Sequence, residues 1–266
     1  MIHPTAIVHP KASVGDHVSI GPYTVIEEDV EIGGECEIGP HVLVASGTRV
    51  GKGCRIFKGA SLGSVPQDLK FGGEKTFLFI GDRTTIREFC TLNRGTKATG
   101  KTVVGSNCML MAYCHVAHDC RVGDYFIAAN VLNLAGHVTI GNYVRTGGSA
   151  SVIQFLRIGD YSFLGAHSLI KKDIVPYALV APEPLRIAGI NKVGLERAGF
   201  SEERRRMIRR AYKILFRSGL SKDEALSCLA SDFPGNADIA SIIALARTSK
   251  SGLVGMGATE TEENDQ

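Results

Sequence analysis

At 266 residues, 44% of them hydrophobic, the chain is long enough to bury a sizeable core, and a net charge of +3 is too mild to imply a nucleic-acid partner. The opening "MIHPTAIVHP" lacks a basic segment followed by an apolar run, and no window approaches the roughly eighteen continuous apolar residues of a membrane span, so no stable membrane insertion and a cytoplasmic location are expected. Seven cysteines with no export signal fit reduced thiols rather than a disulfide framework.

From Ile2 onward an aliphatic residue returns every sixth position: Val8, Val14, Ile20, Ile26, Ile32, Ile38, Val44, Val50, Ile56 and Leu62. The phase resumes at Ile80 and continues through Val116, Leu134, Val152 and Ile170. The fifth position of each hexad is usually small or β-branched, and glycine is common at the second. On a strand the fifth residue of one hexad and the first of the next share a face, so each hexad predicts a short strand plus a glycine-rich corner. Such strands cannot bury an apolar face alone; stacked in coils they enclose a continuous core, as in a parallel β-helix of hexapeptide repeats. With three sides per coil, residues eighteen apart stack about 4.8 Å apart.

The period predicts a β-helix over 1–180, broken by loops near 68–79 and 97–104. "VPYALVAPEPLR" reads as a linker. A C-terminal helical domain is expected over 185–248: Ser201 caps one helix, which Gly219 ends; Ser221 to Glu224 forms a capping box for a second; "ADIASIIALAR" suits a third. The polar stretch 249–266 reads as a disordered tail.

The stretch "HVAHDC", His115 to Cys120, concentrates metal-ligating and catalytic side chains. Cys120 falls at the fifth hexad position, where a small inward residue is wanted, and so do Cys36, Cys54, Cys90, Cys108 and Cys114; these are core material. His118 is third in its hexad, at an outward corner. Eighteen residues on stands Gly136, and eighteen further Gln154. Asp119, His137 and Phe155 form a second ladder beside it. An isolated outward histidine is more often plain surface. A histidine, an orienting aspartate and a glycine whose N–H can approach a ligand together point to a site.

The segments "IHPTAIVHPKASVG", "PQDLKFGGE", "IREFCTLNRGT", "HVAHDCRVGD", "LAGHVTIG", "QFLRIGDYSFLGA" and "AGFSEERRRMIRRAYKILFRSG" resemble the acyl-carrier-protein–UDP-N-acetylglucosamine O-acyltransferases that begin lipid A synthesis. The resemblance implies a mainly β fold, a left-handed parallel β-helix with a C-terminal α-helical domain, assembled as a homotrimer with active sites between subunits. It implies His118 as general base toward the sugar 3-hydroxyl, Asp119 as its orienting partner and the Gly136 N–H as oxyanion donor. The acyl donor is a 3-hydroxyacyl chain on the phosphopantetheine of acyl carrier protein, with no bound cofactor and no metal. By the same motifs His115, His137 and Gln154 shape the pocket, Asp68 and Lys70 contact the glucosamine of the UDP-sugar, and Asn191 and Arg197 contact its nucleotide. Lys70 could equally be an ordinary solvated lysine. Ala166, where relatives preferring long chains have glycine, is expected to limit acyl length.

Seven cations, Arg204, Arg205, Arg206, Arg209, Arg210, Lys213 and Arg217, line one predicted helix. Such a run is usually a solvated face, but it also suits docking of an acidic carrier protein. The chain departs from the family pattern at Ile153, Val193 and Ala198, which leaves an N-acyltransferase acting on an amino sugar as the near alternative. A zinc enzyme of the γ-carbonic-anhydrase type, using His115, His118 and His137, is the rival from another class.

Overall fold

Each hexad folds as a two-residue strand followed by a corner, and three hexads make one triangular coil. In the computed structural model, which describes residues 1–255, these strands run from Ile7–Val8 to Leu169–Ile170 and stack in three parallel sheets of a left-handed β-helix. The register joins residues eighteen apart, as in Ile7↔Val25 and Val8↔Ile26. His115–Val116, Asn133–Leu134 and Ser151–Val152 lie in the first sheet, Arg121–Val122 and Thr139–Ile140 in the second, Ile127–Ala128 and Phe163–Leu164 in the third. Residues at the first hexad position fill the axis of the prism: Ile26, Leu62, Val116, Leu134 and Ile170 are buried. Each such burial contributes roughly 1.5–3 kcal/mol, which no two-residue strand could collect without its neighbours.

The corners differ from the sequence expectation. The turn is made at the fourth hexad residue, which takes a left-handed conformation and is rarely glycine: Asp29, Tyr125, Asp119, His137, Phe155 and Tyr161 all have φ between 53° and 66°. Second-position glycines serve a different need. A Cβ on Gly15 would lie 2.6 Å from the Gly34 nitrogen, and one on Gly123 2.8 Å from the Asn142 nitrogen, so glycine is there because the next coil presses on it.

The two loops are shorter than the breaks in the pattern suggest, because Phe77–Ile80 and Lys101–Val104 are strands. Their lengths also explain why the phase survives. Ser61 pairs with Thr91, thirty residues on instead of eighteen, and Thr91 with His115, twenty-four on; the loops thus add twelve and six residues, both whole hexads.

The six fifth-position cysteines are buried as expected, and they also act as donors. At the fifth position Cys36 donates to Gly51 O (3.1 Å), Cys108 to Gly123 O (3.2 Å) and Cys120 to Ala135 O (3.1 Å), just as the Thr24 and Thr84 hydroxyls donate to Gly39 O (2.7 Å) and Gly105 O (2.8 Å). A thiol therefore supplies a weak hydrogen bond to a corner carbonyl where alanine supplies none.

Past Ile174 the linker reading fails. Ala178–Pro182 adds to the third sheet beside Phe163–Leu164, and Leu185–Ile190 pairs with it antiparallel, closing that sheet's end. Four helices follow: α1 (Lys192–Arg197), unanticipated from sequence, α2 (Glu202–Arg217), α3 (Lys222–Asp232) and α4 (Ala237–Arg247). Ser201 caps α2, and Ser221 with Glu224 forms the capping box of α3. Part of the expected tail is ordered: Leu253 and Val254 are buried, and Leu253 bridges to Asp173. The remainder, 256–266, lies outside the described residues. No helix among the described residues is long and apolar enough to cross a membrane.

Asp238 at the start of α4 fastens the helices to the β-helix. It accepts from Tyr177 Oη (2.7 Å) and from Arg204 Nε and Nη2 (2.6 and 2.8 Å), and Arg204 lies 3.6 Å over the Phe200 ring. Asp238→Ala leaves a buried tyrosine hydroxyl and a guanidinium unpaired; we expect a loss of about 2–4 kcal/mol by denaturant unfolding, at the lower end because Arg204 is half in solvent. The Arg204 hydrogen bonds hold the Asp238 carboxyl below its ordinary value, against the effect of burial. Its contribution is complete above about pH 4 and lost as pH falls through the depressed folded value, so acid should cost the wild type more stability than Asp238→Asn.

Candidate active site

The edge between the first and second sheets carries the two ladders. The His137 N–H donates to His118 O (3.1 Å) and the Phe155 N–H to Gly136 O (3.2 Å), which sets three successive coils in step. His137 stacks on Phe155 at 4.6 Å, and His118 meets His137 edge-on at 5.3 Å and 89°. Gln154 completes its ladder at the exposed end. His118 is mostly enclosed, with 15% of its side chain exposed, so the outward histidine is a cleft residue and not free surface.

Asp119 is the fixed point. Its side chain is buried, and Oδ2 accepts from His118 Nδ1 (2.8 Å) and Thr96 Oγ1 (2.7 Å), while Oδ1 accepts from the Thr96 N–H (3.1 Å) and the Thr99 hydroxyl. Its own N–H donates to Thr102 Oγ1 (2.8 Å). Burial alone would raise the carboxyl's proton affinity, but the donors Thr99, His118 and Thr96 together hold it below the ordinary carboxylate range. An ionised carboxylate only accepts, so His118 Nδ1 must carry the ring proton and Nε2 keeps its lone pair. The second loop, a break in the six-residue period, folds back to supply these threonines. The run "GTKATGKT" was the available signal: three threonines around a loop.

Gly136 adjoins the imidazole. Its N–H makes no hydrogen bond among the described residues, and a Cβ there would lie 2.6 Å from His118 Cε1 and 2.8 Å from Nε2. His115, on the strand before His118, holds Thr91 Oγ1 at 2.7 Å through Nδ1. Burial lowers its proton affinity, the Thr91 contact offsets this in part and His118 adds to it, so His115 is neutral near pH 7. The three-histidine zinc set is not what the fold assembles: His118, Asp119 and His137 converge within 4.8 Å, without His115. Burial pushes the Cys120 thiol up to about 12, far from a metal-binding thiolate.

Other sequence candidates stand elsewhere. Asp68 and Lys70 lie on the first loop, where Asp68 Oδ1 accepts the Lys70 N–H (2.9 Å) and the Lys70 side chain is in solvent. Asn191 and Arg197 line a cleft of about 340 Å³ on the third sheet with Arg145, Phe163 and Val193. Asn191 is chiefly a helix cap: Oδ1 accepts from the Gly194 N–H (3.1 Å) and Nδ2 donates to Tyr161 O (2.8 Å). Arg197 and Ala198 also border a smaller recess beside the stacked Tyr125, Tyr143 and Tyr161. Ala166 is exposed on the edge between the third and first sheets, away from His118, and Ile153 is exposed beside Gln154.

The basic helix divides. Arg204 is bound to Asp238, Arg205 pairs with Glu196 (3.6 Å), Arg206 with Glu202 (3.3 Å) and Arg210 with Asp232 (2.8 Å). The single seven-cation face read from sequence is thus corrected, because acidic neighbours on α1–α4 compete for its guanidinium groups. Arg209, Lys213 and Arg217 make no ion pair among the described residues; at four-residue spacing they share one side of α2 and border a groove of about 260 Å³ floored by Ile187, Tyr212 and Phe216.

With the site described, comparison with known proteins is decisive. The acyl-[acyl-carrier-protein]–UDP-N-acetylglucosamine O-acyltransferase of Halorhodospira halophila is 46% identical over 254 residues, 95% of this chain and 98% of the relative. The chain belongs to this acyltransferase family. The family model for UDP N-acetylglucosamine O-acyltransferase, domain 2, matches residues 173–254. Among solved structures, the UDP-N-acetylglucosamine acyltransferase of Bacteroides fragilis superposes with a TM-score of 0.94 at 39% identity, covering 96% of this chain and 100% of that one. The Francisella novicida enzyme superposes at 0.93 and 36% identity, covering 96% of this chain and 94% of that one. The protein is an acyltransferase enzyme.

Gly136 gives the sharpest local test. Its φ lies outside the left-handed region, so alanine fits the backbone and only the His118 ring stands in its way. Gly136→Ala should displace the imidazole and lower turnover at least about a hundredfold, with a melting temperature close to wild type; unchanged turnover would contradict the placement.

Proposed function

We propose that the enzyme transfers a 3-hydroxyacyl chain from acyl carrier protein to the glucosamine 3-hydroxyl of UDP-N-acetylglucosamine, the first step of lipid A synthesis, with His118 as general base. The observation that carries this reading is the Asp119 contact on His118 Nδ1, which leaves Nε2 as a proton acceptor. In the step, Nε2 takes the proton of the sugar hydroxyl as its oxygen forms a bond to the thioester carbon. The carbonyl oxygen gains charge facing the unpaired Gly136 N–H. The C–S bond then breaks and the proton passes from Nε2 to the departing phosphopantetheine sulfur. A thioester is already activated, so the reading invokes neither cofactor nor metal.

His137, His115 and Gln154 shape the acceptor pocket, Asp68 and Lys70 reach the glucosamine from the first loop, and Asn191 and Arg197 take the nucleotide. Ala166 and the Asn191 cleft stand on other faces than His118. One sugar nucleotide and one acyl chain reach all of them only when a second copy sets its own beside the first, in keeping with a homotrimer. The carrier protein docks on Arg209, Lys213 and Arg217, with Arg206 and Arg210 near by; Arg204 and Arg205 serve the fold.

Asp119→Asn tests the base. Its amide can donate to Nδ1, which puts the ring proton on Nε2; turnover should fall at least about a hundredfold, as it should in His118→Ala, with the fold intact. Normal turnover in folded variants would remove His118 from the role. Replacing Arg209, Lys213 and Arg217 by glutamate should raise the KM for acyl carrier protein roughly tenfold at low salt and leave the sugar KM unchanged. An unchanged carrier KM would leave the stripe as solvated surface. Ala166→Gly should shift the donor-length profile toward longer chains, and an identical profile would end the ruler assignment.

A further inference from the structure

His137 faces the catalytic aspartate in a way the acyl-transfer step does not use. Its Nε2 lies 3.6 Å from Asp119 Oδ2, too long for a hydrogen bond, and makes no other hydrogen bond among the described residues. His118 Nδ1 lies 2.8 Å from the same oxygen, and the three ligand atoms fall within 4.8 Å of one another. In a tetrahedral zinc site with bonds of about 2.0–2.1 Å, ligand atoms sit about 3.3 Å apart, so the two separations from Asp119 Oδ2 bracket what a zinc ion requires, while the two imidazole nitrogens, within 4.8 Å, close together on binding. The outer supports are in place as well: Thr96 and Thr99 fix the carboxylate, Phe155 stacks under His137, and both imidazoles open partly to solvent while Asp119 does not.

We infer that His118, Asp119 and His137 form a reversible inhibitory site for Zn²⁺ or a similar borderline-soft divalent ion, with water as the fourth ligand. Two imidazole nitrogens and one carboxylate select such ions over Mg²⁺ or Ca²⁺. Binding replaces the proton on His118 Nδ1 by the metal, and that proton moves to Nε2. The ring stays neutral overall, but Nε2 now carries hydrogen and cannot accept the acceptor's proton. The metal thus switches the base off, so kcat falls with occupancy. This consequence rests on His118 as the base; the binding does not.

The experiment uses the full chain with the exposed Cys228 replaced by serine to remove a competing thiol. Equilibrium dialysis with Zn²⁺ should give one ion per chain. Co²⁺ should produce visible absorption of tetrahedral type and paramagnetically shifted proton signals from two imidazoles, readouts that need no variant. His137→Ala should weaken binding tenfold or more, and added Zn²⁺ should lower wild-type kcat in step with occupancy. Absence of binding, or binding that His137→Ala leaves unchanged, overturns the site and leaves the acyl-transfer reading standing. Binding with the expected dependence but undiminished turnover keeps the site and instead removes His118 as the base.

Discussion

Everything in this molecule hangs on the left-handed corner at the fourth hexad residue. A non-glycine residue in that conformation costs on the order of 1 kcal/mol, yet the chain accepts it coil after coil. The compensation is visible at many corners: the amide donates to a carbonyl of the preceding coil, as the Tyr143 N–H does to Asp124 O (2.9 Å), and side chains of successive coils stack, as Tyr125 and Tyr143 do at 4.6 Å. The corner also throws the third and fourth side chains outward along an edge. Residues eighteen apart then become neighbours, and three short segments distant in sequence build one patch without any loop having to carry it.

A wall of repeated strands offers side chains but little enclosure, and the inserted loops remedy that. Because both insertions are whole hexads, they leave the inward phase untouched while delivering Thr96 and Thr99 to one corner. Both loops are tethered back to the early coils: Lys75 on the first reaches Asp29 (3.2 Å), and Arg94 at the start of the second reaches Ser46 O (3.2 Å). The geometry of the candidate site is therefore a joint product of a rigid edge, which places His118 and Gly136, and of a short return of chain, which buries the Asp119 carboxylate.

The period made the prism, the inward cysteines and the His118 ladder legible, because all follow from counting in steps of six and eighteen. What stayed hidden depends on interactions that counting cannot reach. A proline-rich stretch read as linker because prolines suit linkers, yet Pro182 ends a strand held between Phe163–Leu164 and the edge strand Leu185–Ile190, which has no hexad signature. The corner glycines were assigned to the turn, whereas crowding between coils is what requires them. The arginine run looked uniform in sequence; Asp238, Glu196 and Asp232, from other elements, decide which cations are committed to the fold. Thr96 and Thr99 stood in plain view with nothing in the sequence to aim them at Asp119.

Three aspartates occupy the fourth position on the same edge, and comparing them shows why only one suits catalysis. Asp29 faces Arg49 (2.5 Å) and Lys75 (3.2 Å), and Asp173 faces Arg157 (3.0 Å); both are neutralised by cations, and they tether the first loop and the C-terminal segment. Among the described residues Asp119 meets no lysine or arginine, only a backbone amide, two threonine hydroxyls and imidazole. Hydroxyl and amide donors satisfy a buried carboxylate without cancelling its charge, so in the proposed step the charge remains to fix the tautomer of His118 and to stabilise an imidazolium formed when Nε2 takes a proton. Had the repeat supplied an arginine beside Asp119, as it did at the corner of Asp29, the carboxylate would have been better paired and the histidine a poorer base. The chemistry of this edge is set less by the aspartate, which recurs, than by the exclusion of cations from its partners.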